Sequence, residues 1–440
     1  MNIPNKRWSF PEKITFRFFC CFFLIYIFPF PLNILELILP FDSDNPPKIL
    51  QWYYTFFGYY DKFLHAFVPW VGQHILHLAN PITIFTNGSG DTTYDYVALF
   101  TFFSLSIIGT IIWSFIDRNR FSYSKAYIVL RVLVRYILGF YMLSYGFYKV
   151  FHLQMLSPYL TQLIQPFGDK SPMGLAWSFV GYSKGFSAFT GWGEVTGGVL
   201  LFFRRTTALG SLILLAVLSN VVAINFFYDV PVKLFSSVLL LMAIFLLAPD
   251  LGRLWNVLFM NKPTLPRVDQ FKIKKRKIKI SLLVLKILII GMMFYSTLHT
   301  VREGSKTYGD DRTLPHYYGI YNVSSWIKNK DTVPPLMTDT ARWKRLVLQF
   351  PGYAKIYMMN DSSKDYVFDV DSTFKTATIY PSSDTTHKYK LSIRGDSSTL
   401  QIAGMLMNDS VQINFNKQDV SRFRLMNRGF HWVNEYPYNR

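Results

Sequence analysis

Seven apolar runs near bilayer-crossing length dominate the first 300 residues, at about 14–35, 95–116, 126–150, 186–203, 206–227, 231–248 and 279–299. A spanning helix takes roughly 20 predominantly apolar residues, so this region is expected to form a transmembrane α-helical bundle. The fourth run could begin near Met173. One straight helix over 173–203 would be roughly 46 Å long, too long for a single crossing. A break near Lys184-Gly185 is expected instead, with 173–183 lying at the outer interface or re-entering. Ser171-Pro172 reads as an N-cap followed by proline at the first helical position.

Beyond Val301 the period changes. From Tyr317 onward, short alternating runs such as Leu346–Phe350, Lys355–Met359, Tyr366–Asp369, Thr376–Tyr380, Tyr389–Ile393, Leu400–Met405 and Val411–Phe415 are separated by Asn, Asp, Ser and Gly. Regularly spaced short strands predict an all-β domain, an antiparallel barrel or a sandwich. Gly319-Ile-Tyr-Asn-Val and the seven or eight strands give it a weak likeness to a lipocalin-type barrel. The mean hydropathy of +0.19 over 440 residues therefore averages two unlike halves. The expected organisation is residues 1–124 with two spans and a long aromatic loop, a four-helix membrane core over 125–250, a basic loop and last span over 251–300, and the β-rich domain over 301–440.

The net charge of +19 could suggest nucleic acid. The basic residues concentrate instead where membrane topology wants them. Nine Lys/Arg face two Asp between Asp250 and Lys279, and Lys272–Lys279 directly precedes an apolar run. Such a segment is expected on the cytoplasmic side, drawn to anionic lipid headgroups; nucleic acid is not an expected partner, whereas membrane lipids are. Lys6/Arg7, Arg118/Arg120/Lys125 and Arg204/Arg205 fall on that same side. The expectation is a multi-pass bacterial inner-membrane protein with a cytoplasmic N-terminus. An odd number of spans then leaves the C-terminal domain in the periplasm. Pro29, Pro31 and Glu36 follow the first run without a small-x-small cleavage pattern, so that run reads as an uncleaved anchor. Cys20 and Cys21 are the only cysteines and form neither a disulfide framework nor a CxxC.

Three outer segments carry candidate chemistry. Residues 40–92 hold an aromatic, amphipathic stretch from Gln51 to Phe67 and from Trp70 to Leu78, suited to the headgroup region. Gly88-Ser89-Gly90-Asp91 could build a backbone nest for an anion, or serve as a loop in which Asp91, Thr92 or Thr93 caps the next helix. His74 and His77, with His65, have weak metal spacing, and no metal is expected. The tail Phe430-His-Trp-Val-Asn-Glu-Tyr436 is aromatic enough to be expected to pack on the barrel or the bundle.

Inside the bundle, Arg131, Arg135, Tyr145, Lys149 and His152 fall on one helical face. Glu194 lies ten residues from Arg204, and Arg135 lies ten from Lys125. Both sit roughly 15 Å from the same flank, near the bilayer centre. A buried Glu194–Arg135 pair is expected. It could be structural, or a proton or headgroup site, because intramembrane carboxylates so often mark function. Asn220, Asn225 and Asp229 add polar groups toward the outer side as candidate ligand-binding residues beside Tyr145 and Glu194. No Walker loop, GxGxxG, Ser-His-Asp order or Fe–S cysteine set is present.

Arg135-Tyr-Ile-Leu-Gly139, Tyr145-Gly-Phe-Tyr-Lys149, Glu194-Val-Thr-Gly-Gly198 and Thr206-Thr-Ala-Leu-Gly210 appear in an order and spacing that resemble the DoxX four-helix module, over about 130–250. Arg135, Lys149, Glu194 and Gly198 fall on that family's marked positions. The longer chain is similar to a DoxX-related group of Bacteroidota membrane proteins through GSGDTTYDY at 88–96, SPMGLAWSF at 171–179, YDVPVKLFS at 228–236 and NRGFHWVNEYPYNR at 427–440. The resemblance implies quinone or lipid chemistry, with Glu194, Arg135 and Lys149 as the candidate catalytic set and a quinone as the implied cofactor. Two functions remain open. One is an envelope anchor or lipid-binding component whose periplasmic β domain binds a partner or ligand. The other is a quinone-linked redox component served by a redox partner.

Overall fold

The structure is a computed structural model that describes residues 7–32, 51–265 and 275–439. Lys6, the 33–35 end of the first expected span, Glu36, residues 40–50 of the aromatic loop, residues 266–274 of the basic run and Arg440 lie outside the described residues. The chain divides into two compact units, residues 1–155 with 184–304, and residues 156–183 with 305–440.

The first unit is helical. Helix α1 (Phe10–Ile27) starts at a capping box between Ser9 and Glu12. The two reciprocal hydrogen bonds satisfy donors that a helix start otherwise leaves open. Helix α2 (Gln51–His74) carries Pro69 internally, and its exposed side shows Trp52, Tyr59, Phe63 and Trp70. Its Val68 and Val71 are buried with Val97 of α3 (Thr93–Ile116), which begins at a Thr92–Asp95 capping box. Helix α4 (Ser124–Val150) follows. The first unit resumes, after the residues assigned to the second, with α7 (Lys184–Leu201), α8 (Thr207–Phe227), α9 (Lys233–Leu247), α10 (Leu251–Leu258) and α11 (Arg276–Thr307).

Five helical stretches among the described residues are long and apolar enough to cross a membrane: α3, α4, α8, Lys233–Leu258 and α11. Helices α1 and α7 also form where spans were expected. Composition keeps them out of that set, because α1 carries Glu12, Lys13 and Arg17 while α7 is rich in Gly, Ser and Thr. Those small residues have a packing role. A Cβ built on Gly139 of α4 would lie 3.3 Å from Gly198 O of α7, and one on Gly146 would lie 2.8 Å from Gly191 O. A Cβ on Gly210 of α8 would come 2.9 Å from Gly197 O. Small residues let helix backbones approach this closely where lipid supplies no hydrophobic drive between helices.

The second unit begins inside the expected four-helix core. Residues 156–183 include α5 (Leu160–Leu163) and α6 (Pro172–Tyr182) and group with the C-terminal domain rather than with 125–155 and 184–250. Ser171 caps α6 by accepting from Gly174 N at 3.0 Å, and the helix stops at Ser183, where the break was expected.

The C-terminal strands are β1 (Gly319–Lys328), β2 (Asp331–Thr332), β3 (Trp343–Phe350), β4 (Gly352–Met358), β5 (Ser363–Val370), β6 (Thr376–Pro381), β7 (Tyr389–Gly395), β8 (Thr399–Leu406) and β9 (Asp409–Gln418). The long strands pair antiparallel in sequence order. Strand β9 returns to β1, with Tyr321 opposite Lys417 and Ile327 opposite Gln412, and closes an eight-stranded barrel; β2 only extends the end of β1. Closure removes the sheet edges that would otherwise template aggregation. Barrels of this size are just wide enough to be filled by side chains. Here Tyr321, Trp326, Trp343, Leu346, Ile356, Phe368, Ile379, Ile393, Ile402 and Phe415 fill the interior. A second, smaller cluster lies on the other face of the first two long strands. Ile320 and Val347 pair across β1 and β3 and are buried with Leu160 of α5. Thr161 N and Oγ1 donate to Gln349 Oε1 at 3.2 and 3.3 Å, and Tyr159 meets Phe350 edge-on at 5.1 Å.

The aromatic tail departs from expectation. Tyr182 Oη donates to Arg428 O at 2.9 Å, but Phe430, Trp432, Val433 and Tyr436 are exposed rather than packed away.

Candidate functional site

The glycine crossings set the geometry of the charges inside the helical bundle. Residue numbers fall along α4 as they rise along α7 at these crossings, so the two helices run antiparallel. Lys149 stands three residues beyond Gly146, and Glu194 three residues beyond Gly191. A helical side chain leans toward the N-terminus of its own helix. Lys149 and Glu194 therefore lean toward the Gly146–Gly191 crossing from opposite ends and meet. Lys149 Nζ hydrogen-bonds and ion-pairs with Glu194 Oε1, and both side chains are buried.

The same rule removes the expected Glu194–Arg135 pair. Arg135 precedes Gly139 by four residues and Glu194 precedes Gly198 by four. At that crossing the two residues lie on opposite sides, about 12 Å apart along the helix axes, and their side chains lean further apart. Arg135 Nε donates instead to Leu201 O at 2.7 Å, at the C-terminal residue of α7. Arg131 Nη2 donates to Leu246 O at 3.0 Å, in the last turn of α9. The final carbonyls of a helix have no intrahelical donor. Basic side chains there supply one and complement the negative helix end. Both arginines of α4 thus act as C-caps for other helices.

One atom of the Lys149–Glu194 site stands out. Glu194 is 2% exposed, and its Oε2 has no hydrogen-bond partner among the described residues. Lys149 is further fixed by Ser187, whose Oγ donates to Lys149 O at 2.9 Å. Tyr145 shares the helix but is exposed on it, its ring centroid 6.1 Å from that of Phe235. The other candidates separate. Asn220 is exposed on α8. Asn225 is buried and donates from Nδ2 to Ser236 Oγ at 2.9 Å, joining α8 to α9. Asp229, in a left-handed turn at φ 53°, accepts from Lys233 Nζ at 2.7 Å. None of the three joins the ion pair: Asn225 links two helices, Asp229 sits in the turn between them and Asn220 is on the exposed face of α8.

The Gly88-Ser89-Gly90-Asp91 loop supplies a carboxylate to the start of α9. Asp91 Oδ2 accepts from Lys233 N at 2.8 Å and Oδ1 from Leu234 N at 3.0 Å, so the carboxylate caps α9. Gly90 N donates to Pro231 O at 2.9 Å, which holds the loop against that turn. Helix α3 is capped by Thr92. Among the described residues no group of three or more His, Cys, Asp or Glu is placed to hold a metal ion.

Sequence reading did not single out Arg17. It is 2% exposed, with Nη1 donating to Ser114 Oγ at 2.8 Å, Nη2 to Asp117 O at 2.9 Å and to Tyr123 Oη at 2.8 Å, and Nε to Tyr123 Oη at 3.2 Å. This guanidinium ties α1 to the end of α3 and the start of α4. The one available signal was its position four residues after Lys13, inside the apolar run rather than before it.

Comparison with known proteins gives one informative match. Over 151 residues the chain is 31% identical to the uncharacterised protein YwoB of Bacillus subtilis, covering 87% of that protein and 32% of this chain. No family model matches the chain. No solved structure matches it either.

Proposed function

Given that the chain belongs to the same family as the uncharacterised Bacillus subtilis protein YwoB, we propose that it is a multi-pass bacterial inner-membrane protein whose DoxX-like bundle binds the polar head of a membrane-dissolved lipid at Lys149–Glu194. The barrel is the periplasmic part in this reading and meets a partner or ligand through its outer surface, its interior being filled by side chains.

The observation that carries the reading is the unpartnered Glu194 Oε2. Leaving a buried acceptor without a donor costs about 1–3 kcal/mol, more for a charged group. Ionisable residues within a bundle pair with one another or mark function. Lys149 occupies one oxygen of the carboxylate, and a lipid hydroxyl would complete the second. A quinol hydroxyl would do the same, so a quinone-linked redox component served by a redox partner is the second reading, favoured by the DoxX resemblance. The orientation is supported by the charge pattern: Arg118 and Arg120 follow α3, Arg204 and Arg205 follow α7, and Arg276–Lys279 open α11.

The test is a lipid and quinone inventory by mass spectrometry of wild type and Glu194→Gln in native nanodiscs, with size-exclusion profiles to check folding. Stoichiometric lipid of one class in wild type, lost in a folded variant, is expected. If that lipid is a quinone, the redox reading becomes primary. Only bulk phospholipid in both samples would reduce the ion pair to a structural element.

A further inference from the structure

A cleft of about 590 Å³ opens beside the first turn of α1 and the end of α3, apart from the Lys149–Glu194 site. Four cations line it, Arg7, Lys13, Arg17 and Arg118, against the single carboxylate of Glu12. That carboxylate is already engaged, accepting from Ser9 N at 2.7 Å. Arg7, Lys13 and Arg118 have no carboxylate partner among the described residues. Arg17 is held rigidly within the protein by Ser114, Asp117 and Tyr123. A guanidinium has five N–H donors; four are used in these contacts, and the fifth, on Nη1, has no partner among the described residues. Asp117, the nearby acid, accepts from Tyr123 Oη at 2.9 Å.

We propose that this cleft is a binding site for the phosphate headgroup of an anionic phospholipid. A phosphate offers several strong acceptor oxygens to converging Arg and Lys donors. The place in the fold favours a lipid over a free phosphate. Arg118 lies two residues past the end of α3, one of the helices long and apolar enough to cross a membrane, so the cleft falls at a bilayer surface. Phe10, 69% exposed, lines the same cleft and offers apolar cover to a glycerol and the start of its acyl chains. Basic pockets at the ends of spanning helices recognise anionic headgroups by this combination.

The experiment is native mass spectrometry of the delipidated full-length protein in detergent, titrated with phosphatidylglycerol and, separately, phosphatidylcholine. Wild type is expected to prefer phosphatidylglycerol by at least about tenfold. The triple variant Arg7→Gln/Lys13→Gln/Arg118→Gln is expected to lose that preference. Arg205→Gln/Lys277→Gln/Lys279→Gln, which removes three charges elsewhere, is expected to keep it. Equal preference in wild type and the first variant, or equal loss in both variants, would overturn the proposal. A third arm adds millimolar inorganic phosphate. Displacement of the bound lipid by phosphate alone would reassign the cleft to a free phosphate and overturn the lipid assignment. Circular dichroism and size exclusion on each variant separate lost binding from lost folding. Should the triple variant unfold, Arg118→Gln alone, a change to one exposed side chain, is expected to weaken the preference, and an unchanged preference overturns the proposal.

Discussion

Lys149 is a better partner for Glu194 than Arg135 because of where side chains lean, which residue counting along a span does not capture. Glu194 was legible as a carboxylate within an apolar run, but counting from the charged flanks put Arg135 level with it, whereas the glycine crossings set the two about 12 Å apart along the helix axes. The direction of each side chain follows only once α4 and α7 are known to be antiparallel and crossed at Gly146–Gly191. Removing one partner of a buried pair leaves the other uncompensated, at about 3–5 kcal/mol. Lys149→Met and Glu194→Leu are each expected to cost that much in reversible unfolding in mixed detergent. The double variant is expected to recover most of the loss, since a well-packed apolar pair can replace a buried ion pair. Single-variant costs of only a few tenths of a kcal/mol would mean the pair is solvated. Asp91 shows the same limit of the sequence. Its loop was recognisable as one suited to an anion, but the helix it caps starts 142 residues later. Asp91→Ala is expected to cost about 1 kcal/mol, up to about 2, in the same unfolding measurement, and Ser89→Ala nearly nothing.

Elements were the most legible level. Alternation in the C-terminal third marked the long strands after β1, because a filled barrel needs every second residue apolar. The break at Ser183 followed from length alone. What apolarity could not rank was α7, whose glycines lower its hydropathy while letting it sit closely between α4 and α8. A Cβ on Gly191 would fall 2.5 Å from Gly146 O, where backbone cannot yield easily. Gly191→Val is accordingly expected to separate α4 from α7 and destabilise the bundle by more than about 2 kcal/mol, read as the same unfolding shift. The barrel turns carry a pH dependence. Hydrogen bonds from Thr373 and from the Thr376 and Lys375 amides draw the Asp371 carboxyl down to about 2, and the Ser398 and Thr399 amides do the same for Asp396. A carboxyl whose folded value lies below its unfolded value stabilises the fold above the unfolded value and loses that contribution on acidification. Protection of the β5–β6 and β7–β8 turn amides in hydrogen exchange on the whole protein is therefore expected to be constant above about pH 4 and to fall between about 3.8 and about 2. The tail is a contrasting element. With Phe430, Trp432, Val433 and Tyr436 exposed, truncation after Asn427 is expected to change barrel stability by no more than about 0.5 kcal/mol.

The whole molecule was legible as a helical part followed by a barrel, but not as two units with interleaved sequence. Period and hydropathy are read along a line, and nothing in the run 156–183 says that Leu160 will be buried with Ile320 and Val347. Eight strands close the barrel, yet its outer cluster and the Thr161–Gln349 contact come from a segment laid down between α4 and α7. The order of synthesis makes this consequential. Ribosomes add about 5–20 residues per second, so Thr161 waits roughly 10–40 s for Gln349 to exist. During that interval Leu160, Leu163 and Ile164 have no strand to cover. The newborn chain must keep this short apolar stretch from aggregating until the barrel closes. A fragment begun at residue 301 would be born with the opposite defect, a barrel face exposing Ile320 and Val347 to water.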